Sequence, residues 1–258
     1  MHEPQTKLKT ENNFCRNRYR LNMLIQKNDL GETITSLGHS LLRSIRETQL
    51  SIKFSNLYEK YSSYTMIPKP TFVENLKLCK RFRHVRGCII ECGVWRGGMS
   101  AAMAEVLGND RNYYLFDSFE GLPEAKKIDG EAAINWQSNK ESPLYYENCK
   151  AEIKYADKAM KISGAKNYKL IKGWFSETLP TFESEEEISI LRLDGDWYDS
   201  TMDCLRFLYP KVAKGGLIIV DDYYAWDGCS RAVHDYLSIQ KLSDRIFQIH
   251  GNSYIIKT

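Results

Sequence analysis

Two short stretches concentrate acidic side chains where chemistry could use them. LRLDGDWYDST (191–201) places Asp194, Asp196 and Asp199 at the end of an apolar run, and VDDYY (220–224) places Asp221 and Asp222 at the end of another. Carboxylates gathered at the ends of buried strands repel one another, so protonation or a cation must offset the cost. Donors that are all oxygen suit a hard ion, and Mg²⁺ keeps several of its positions for water or substrate. Asp194, Asp221 and Asp222 are therefore the expected metal ligands, and an ion held there would lower the pKa of a bound hydroxyl and fix its orientation. Asp196 stands two residues beyond Asp194, so on extended backbone both side chains point the same way. That makes Asp196 the candidate general base. Asp199 precedes STMDCLRFL and reads as a helix start, with Asp199 or Ser200 as the cap. Solvated turn residues are the competing reading for either cluster taken singly; two clusters on matching strand ends favour the metal.

A third stretch, ECGVWRGGMSAAMA (91–104), ends a strand, turns on glycines and enters a helix. Glycines let the backbone approach a ligand closely, and the first N–H groups of a helix are free to bind it. The next strand ends in Asp117, where an acid can accept the hydroxyl protons of a ribose. A dinucleotide site needs G-x-G-x-x-G against its pyrophosphate, whereas the pattern here is E-x-G-x-x-x-G-G. A Glu91 carboxylate facing the pocket suits a sulfonium charge, which points to S-adenosylmethionine rather than NAD. Trp95, Phe119 and Trp174 follow strand ends and are candidates to stack on an adenine, with core packing as the alternative. Arg192 sits within an apolar strand, where an unpaired charge is costly. Glu91 on a neighbouring strand is its expected partner, a pairing that would draw Glu91 away from the ligand. His234 reads as a packing or surface residue, and His250 carries no assigned role.

These side chains need a scaffold that brings strand ends to one edge. CIIECGV (88–94), YYLFDSF (113–119), YKLIKGW (168–174), ISILRLD (188–194) and GGLIIVDDY (215–223) are short, apolar and β-rich. Between them lie the helical stretches GGMSAAMAEVLG, YYENCKAEIKYADKAMKIS, STMDCLRFLYPKVAKGG and SRAVHDYLSIQKL. The alternation predicts an α/β fold, a parallel sheet covered on both faces. RIFQIHGNSYIIKT (245–258) predicts an antiparallel hairpin around a Gly-Asn-Ser turn. Residues 120–146, with Pro123, Gly130, Pro143 and Trp136, read as a lid or binding segment. TFVENLKLCKRF (71–82) reads as a helix opened by Thr71 with Glu74 three residues on, and 34–61 as one or two amphipathic helices. Residues 1 to 35 are polar and are expected to be partly disordered or an arm on a partner subunit. The expected division is an arm with helices over 1–60 and one domain over 61–258.

Composition narrows the class. Of 258 residues, 43% are hydrophobic and 27% charged, as in an ordinary globular protein, and a net charge of +3 gives no electrostatic case for nucleic acid. Neither a signal peptide nor a membrane span is expected. Seven cysteines without CxxC pairing or zinc-ligand spacing suggest reduced thiols and a cytoplasmic location.

YTMIPKP, IIECGVWRGGMSAAMA, YLFDSFEGLPE, KGWFSETLP, LRLDGDWYDSTMDCLRFLYPKVAKGGLIIVDDYY and AVHDYL occur in order across residues 60 to 240. In these motifs the chain resembles the macrocin O-methyltransferase (TylF-type) family. The resemblance implies a Rossmann-like class I methyltransferase fold, with a mostly parallel seven-stranded sheet and a C-terminal antiparallel hairpin. It implies methyl transfer from S-adenosylmethionine, with Mg²⁺, to a hydroxyl of a sugar in a glycosylated natural product or surface-glycan precursor. Asp194, Asp221 and Asp222 would hold the metal and Asp196 would be the base. The cofactor would lie against Glu91, Gly93, Val94, Trp95, Gly97 and Ser100, then Asp117, Ser118 and Phe119, then Gly173, Trp174, Phe175 and Ser176. Thr65 and Met66 would fold over it. The implied partners are a glycoside or other small-molecule acceptor and further copies of the chain, not nucleic acid or membrane. The family's C-terminal aspartate turn and Trp-bearing strand are replaced by IHGNSYIIKT, which bears on oligomer contacts or acceptor shape more than on chemistry. Residues 1–60 and 124–165 carry no match, so the acceptor's identity is not implied. A catechol-type acceptor would use the same metal chemistry. An inactive cofactor-binding assembly subunit is the alternative of another class, disfavoured by the intact carboxylates.

Overall fold

The computed structural model describes residue 42 and residues 44–258, so the arm expected over 1–35 lies outside the described residues. Residues 44–52 are helical, and a separate compact unit runs from Lys53 to Thr258. Within that unit, helix α1 (53–61) is followed by α2 (Lys69–Arg81), β1 (Cys88–Cys92), α3 (Gly98–Leu107) and β2 (Asn112–Asp117). Then come α4 (Glu131–Ser138), α5 (Ile153–Ser163), β3 (Asn167–Lys172), the single turn α6 (Phe175–Thr178) and β4 (Ile188–Leu193). The chain ends with α7 (Tyr198–Leu208), β5 (Val212–Val220), α8 (Asp227–Ile239), β6 (Ile246–Ile249) and β7 (Asn252–Ile256). No helix among the described residues is long and apolar enough to cross a membrane.

The strands form one sheet in the order β3-β2-β1-β4-β5-β7-β6. The first five are parallel, and β7 inserts antiparallel between β5 and β6. This is the expected sheet and hairpin, and the α/β class is as read from the sequence. β1 and β4 are buried along their whole length, as a sheet covered on both faces requires. On one face Ile90, Leu191, Leu193, Ile218 and Val220 pack with Leu205 and Leu208 of α7 and Val233 and Tyr236 of α8. From β1 the chain proceeds to β2 and β3 on one side, and from β4 to β5 on the other. The strand order therefore reverses between β1 and β4, the position at which open α/β sheets bind ligands.

Several local readings give way to tertiary context. α2 starts at Lys69, with Pro70 in its first turn, and no side chain caps it; the expected Thr71–Glu74 cap is not formed, and Glu74 pairs with Lys77 instead. β5 begins at Val212, inside the stretch read as helix, because an irregularity lets Val212 pair with Ile188 while Leu217 pairs with Ile190. The hairpin turns on His250 and Gly251, at φ +48° and +86°, and Asn252 and Ser253 already belong to β7. Positive φ at both central residues is what a tight two-residue hairpin needs, so the expected Gly-Asn-Ser turn is shifted by one residue. The helix expected to begin at Tyr145 starts only at Ile153. Before it, Tyr146, Glu147, Asn148 and Cys149 have φ of +44°, +49°, +56° and +60°. Residues 120–146 are not merely a loop, since they carry α4.

Candidate active site

Loop formation starts at Gly93. Its φ is +87°, and a Cβ there would lie 1.6 Å from the carbonyl oxygen of Asp194. Only glycine lets β1 and β4 end so close together, with Asp194 N–H donating to Cys92 O at 2.8 Å. The turn that follows is held by Asp117: its Oδ2 accepts from Val94 N (2.7 Å) and Trp95 N (2.8 Å), and its Oδ1 from Phe119 N (2.6 Å). The acid that ends β2 thus organises both the glycine turn and its own loop.

Two adjoining cavities open at this edge. The larger, about 550 Å³, is lined by Gly93, Asp117, Ser118, Gly173, Trp174, Phe175, Ser176 and Asp194, with Leu122, Pro123 and Lys126 of the insertion and Tyr198 and Met202 of α7. The smaller, about 220 Å³, is lined by Met66, Ile67, Pro68, Trp95, Cys149 and the carboxylates Asp194, Asp196, Asp221 and Asp222. Gly93, Asp117, Gly121, Leu122 and Asp194 border both. Six of the residues chosen from the sequence line neither cavity. Val94, Glu91, Ser100 and Phe119 are buried, Gly97 donates to Val94 O within the turn, and Thr65 packs where a Cβ on Gly98 would come within 3.1 Å.

Glu91 does not face the pocket. At 2% exposure it accepts from Arg192 Nη1 at 2.8 Å through Oε1 and from the Ser100 hydroxyl through Oε2. Parallel register sets Glu91 directly beside Arg192, so the pairing read from the sequence is formed. Arg192, fully buried, does more than that reading foresaw: Nη1 also donates to Asp194 Oδ2 at 2.7 Å, and Nη2 lies 2.7 Å from Asp221 Oδ1. The guanidinium links the strand-end carboxylates to Glu91 and, through Ser100, to α3.

Asp194, Asp221 and Asp222 each offer an oxygen within 4.8 Å of the others. Asp222 Oδ2 accepts from Asp196 N at 3.1 Å. Burial, opposed by Arg192, pushes Asp194 up to about 6. Burial and then repulsion from Asp194 push Asp196 up to about 7, and burial with repulsion from Asp196 raises Asp222 well above the usual carboxylate range. Asp196 is not on extended backbone. Its φ is +57°, the left-handed region that few non-glycine residues enter, aspartate more readily than most. The inference that Asp194 and Asp196 point the same way by strand alternation therefore fails; β4 has ended at Leu193, Trp197 N–H donates to Gly195 O at 2.6 Å across Asp196, and Asp196 reaches the carboxylate group through that tight turn.

The cap of α7 also departs from expectation. Neither Asp199 nor Ser200 caps it; Asp129, from the insertion, accepts from Tyr198 N at 2.7 Å through Oδ1 and from Lys126 N at 2.7 Å through Oδ2. Asp199 lies in the first turn and pairs with Lys126 on the surface. A Cβ on Gly228 would meet Asp129 Oδ1 at 2.4 Å, so glycine at the start of α8 admits the docked insertion. No local motif marks Asp129, because its role depends on two helix starts remote in the chain. His234, at the surface, contacts Tyr223 OH at 2.7 Å, and the cysteines among the described residues are free thiols.

A strand-order switch, a glycine turn organised by an acid, and a three-carboxylate group beside it are the arrangement against which relatives can be judged. Residues 57–257 match the macrocin-O-methyltransferase (TylF) family. The 8-demethyl-8-(2,3-dimethoxy-alpha-L-rhamnosyl)-tetracenomycin-C 4'-O-methyltransferase of Streptomyces olivaceus is 36% identical over 65% of this chain and 64% of its own length. Demethyldecarbamoylnovobiocin O-methyltransferase of Streptomyces niveus is 34% identical over 69% of each. The chain thus spans between 64% and 69% of these two curated relatives. The solved structure of the O-methyltransferase NovP matches with a TM-score of 0.62 at 30% identity, over 76% of this chain and 82% of that one. With a family match that runs through every strand of the sheet and every carboxylate of the site, the chain belongs to the TylF macrocin-O-methyltransferase family.

Proposed function

We propose that the protein transfers a methyl group from S-adenosylmethionine to a sugar hydroxyl of a small glycosylated metabolite, with Mg²⁺ at Asp194, Asp221 and Asp222. The observation that carries this reading is the meeting of the two cavities at Gly93 and Asp194, where a donor in one reaches an acceptor in the other. The larger cavity suits the nucleoside of the donor: Asp117 borders it on the ribose side, and Trp174 and Phe175 offer apolar walls for a purine. The donor set fits a hard cation. Three carboxylates supply only oxygen, and Arg192 engages one oxygen each of Asp194 and Asp221, which leaves the other of each for an ion. When bound, Mg²⁺ would supply charge that acidifies and orients a hydroxyl.

The chain's own residues have three tasks. The Gly93 turn and Asp117 hold the donor so that its methyl group faces the smaller cavity. Met66, Ile67 and Pro68 wall that cavity and keep water from the transfer. Asp196 receives the acceptor's hydroxyl proton. Because the donated methyl group is already activated, positioning supplies much of the rate. The resemblance and the names of the relatives support a glycoside acceptor, and a homo-oligomer is part of the same reading.

Methyl transfer to a panel of deoxysugar glycosides, followed by mass spectrometry, tests the reading. Asp194→Ala should abolish turnover while leaving the dissociation constant of the methyl donor within about threefold, since Arg192 still neutralises Glu91. Full activity of that variant in EDTA would remove the metal from the proposal.

A further inference from the structure

The insertion and the candidate base meet in a cluster of three indoles. Trp136 of α4, Trp197 after β4 and Trp226 before α8 lie edge to face, with centroid separations of 5.2 Å for Trp197–Trp226, 6.0 Å for Trp136–Trp226 and 6.3 Å for Trp136–Trp197. An indole taken out of water needs an acceptor for its N–H. Two of the three find it in the insertion's backbone: Trp197 donates to Pro123 O at 2.9 Å and Trp136 to Leu144 O at 2.8 Å. The third N–H leaves the cluster. Trp226 Nε1 donates to Asp196 Oδ1 at 2.9 Å.

That contact falls on a residue whose conformation needs support. Asp196 has φ +57°, and its own N–H is held by Asp222 Oδ2. A carboxylate on such a turn can still rotate about its side-chain torsions, and the indole stops it. We propose that Trp226 is the positioning residue for the base: it occupies Oδ1 of Asp196 and so presents Oδ2 to the acceptor hydroxyl. This rests on the methyl-transfer reading above. In that reaction the hydroxyl proton passes to Asp196 Oδ2 as the acceptor oxygen bonds to the methyl carbon. The electron pair of the sulfur–methyl bond returns to the sulfonium sulfur, leaving a neutral thioether. Trp226 is itself packed on Trp197 and Trp136, and its N–H is the one of the three that reaches Asp196.

Trp226→Phe keeps a six-membered aromatic ring in the cluster and removes the N–H with the rest of the pyrrole ring, a truncation that Trp136→Phe repeats away from Asp196. Trp226→Phe should lower kcat about tenfold to a hundredfold, the range for losing a hydrogen bond to a charged group. KM for the methyl donor and the dissociation constant for Mn²⁺ should stay within about twofold. Trp136→Phe, which removes an indole N–H from the same cluster but not from Asp196, should leave kcat within about twofold. An activity-independent measurement accompanies these. In protein labelled with ¹⁵N at its five tryptophans, the indole resonance lost in Trp226→Phe should move in Asp196→Ala while that of Trp174 stays in place. Equal losses of kcat in the two Phe variants, or an indole resonance indifferent to Asp196→Ala, would overturn the assignment. Failure of the wild-type protein to methylate any acceptor would instead strike the methyl-transfer reading, and the resonance would still decide whether Trp226 holds Asp196.

Discussion

At the residue scale, Arg192 is the side chain on which the site depends most and which the reactive motifs conceal. A buried guanidinium is tolerable only when its charge is paired, and here carboxylates from three strands lie within 2.8 Å of it. Burial already pushes Glu91 up to about 7, and removing Arg192 would strip it of its counter-charge and leave only Ser100 beside it, so that it must take up a proton or stay unpaired in the core. Arg192→Met should therefore cost about 3–5 kcal/mol in urea unfolding of the metal-free protein. Adding Glu91→Gln should recover part of that, because the uncompensated carboxyl group is gone. A loss below about 1 kcal/mol would mean that the carboxylates are protonated rather than paired in the folded state.

At the element scale, the insertion is a docked part of the fold. Asp129 caps α7 through Tyr198 N and closes its own turn through Lys126 N. Asn148 reinforces the same segment, donating to Leu122 O at 2.7 Å and accepting from Gln137 Nε2 at 2.9 Å. The four left-handed residues ending at Cys149 are held by this clamp and bring Cys149 to the wall of the smaller cavity. Asp129→Ala should destabilise the protein by about 1–2 kcal/mol, the usual cost of a lost cap. Protease cleavage between residues 124 and 150 should accelerate more than cleavage elsewhere. Asp129→Asn, which retains an acceptor for Tyr198 N, should restore most of the resistance.

At the scale of the whole molecule, the repulsion among Asp194, Asp196, Asp221 and Asp222 is a cost carried by the metal-free fold. A ligand that binds only the folded state adds stability as its concentration rises, about 2.7 kcal/mol at a hundredfold excess over the dissociation constant. Mg²⁺ or Mn²⁺ should therefore raise the melting temperature of the full chain by several degrees, roughly 2–4 °C per kcal/mol for a unit of this size. Asp222→Asn should abolish the response. At a pH high enough to ionise Asp222, that variant should also melt higher than wild type in EDTA, since one repelling charge is gone. A melting temperature insensitive to divalent ions in wild type would argue against a cation site.

What the sequence by itself determined was whatever depends on neighbours along the chain. Apolar runs of strand length alternating with helical stretches specified the parallel sheet. The glycine turn and the acids at strand ends marked the edge where ligands bind, and Arg192 in an apolar strand demanded a partner. Tertiary structure decided the rest, because those roles are set by groups far apart in sequence. Glu91 turned inward because register placed it beside Arg192. Asp196 left the extended path because Trp197 N–H closes a tight turn on Gly195 O and Asp222 holds the N–H of Asp196. α7 took its cap from Asp129, 69 residues earlier, and Asp196 took its indole from Trp226, 30 residues later. Hydrogen bonds and ion pairs of this kind leave no periodicity in the chain; only a packed fold brings their partners within reach.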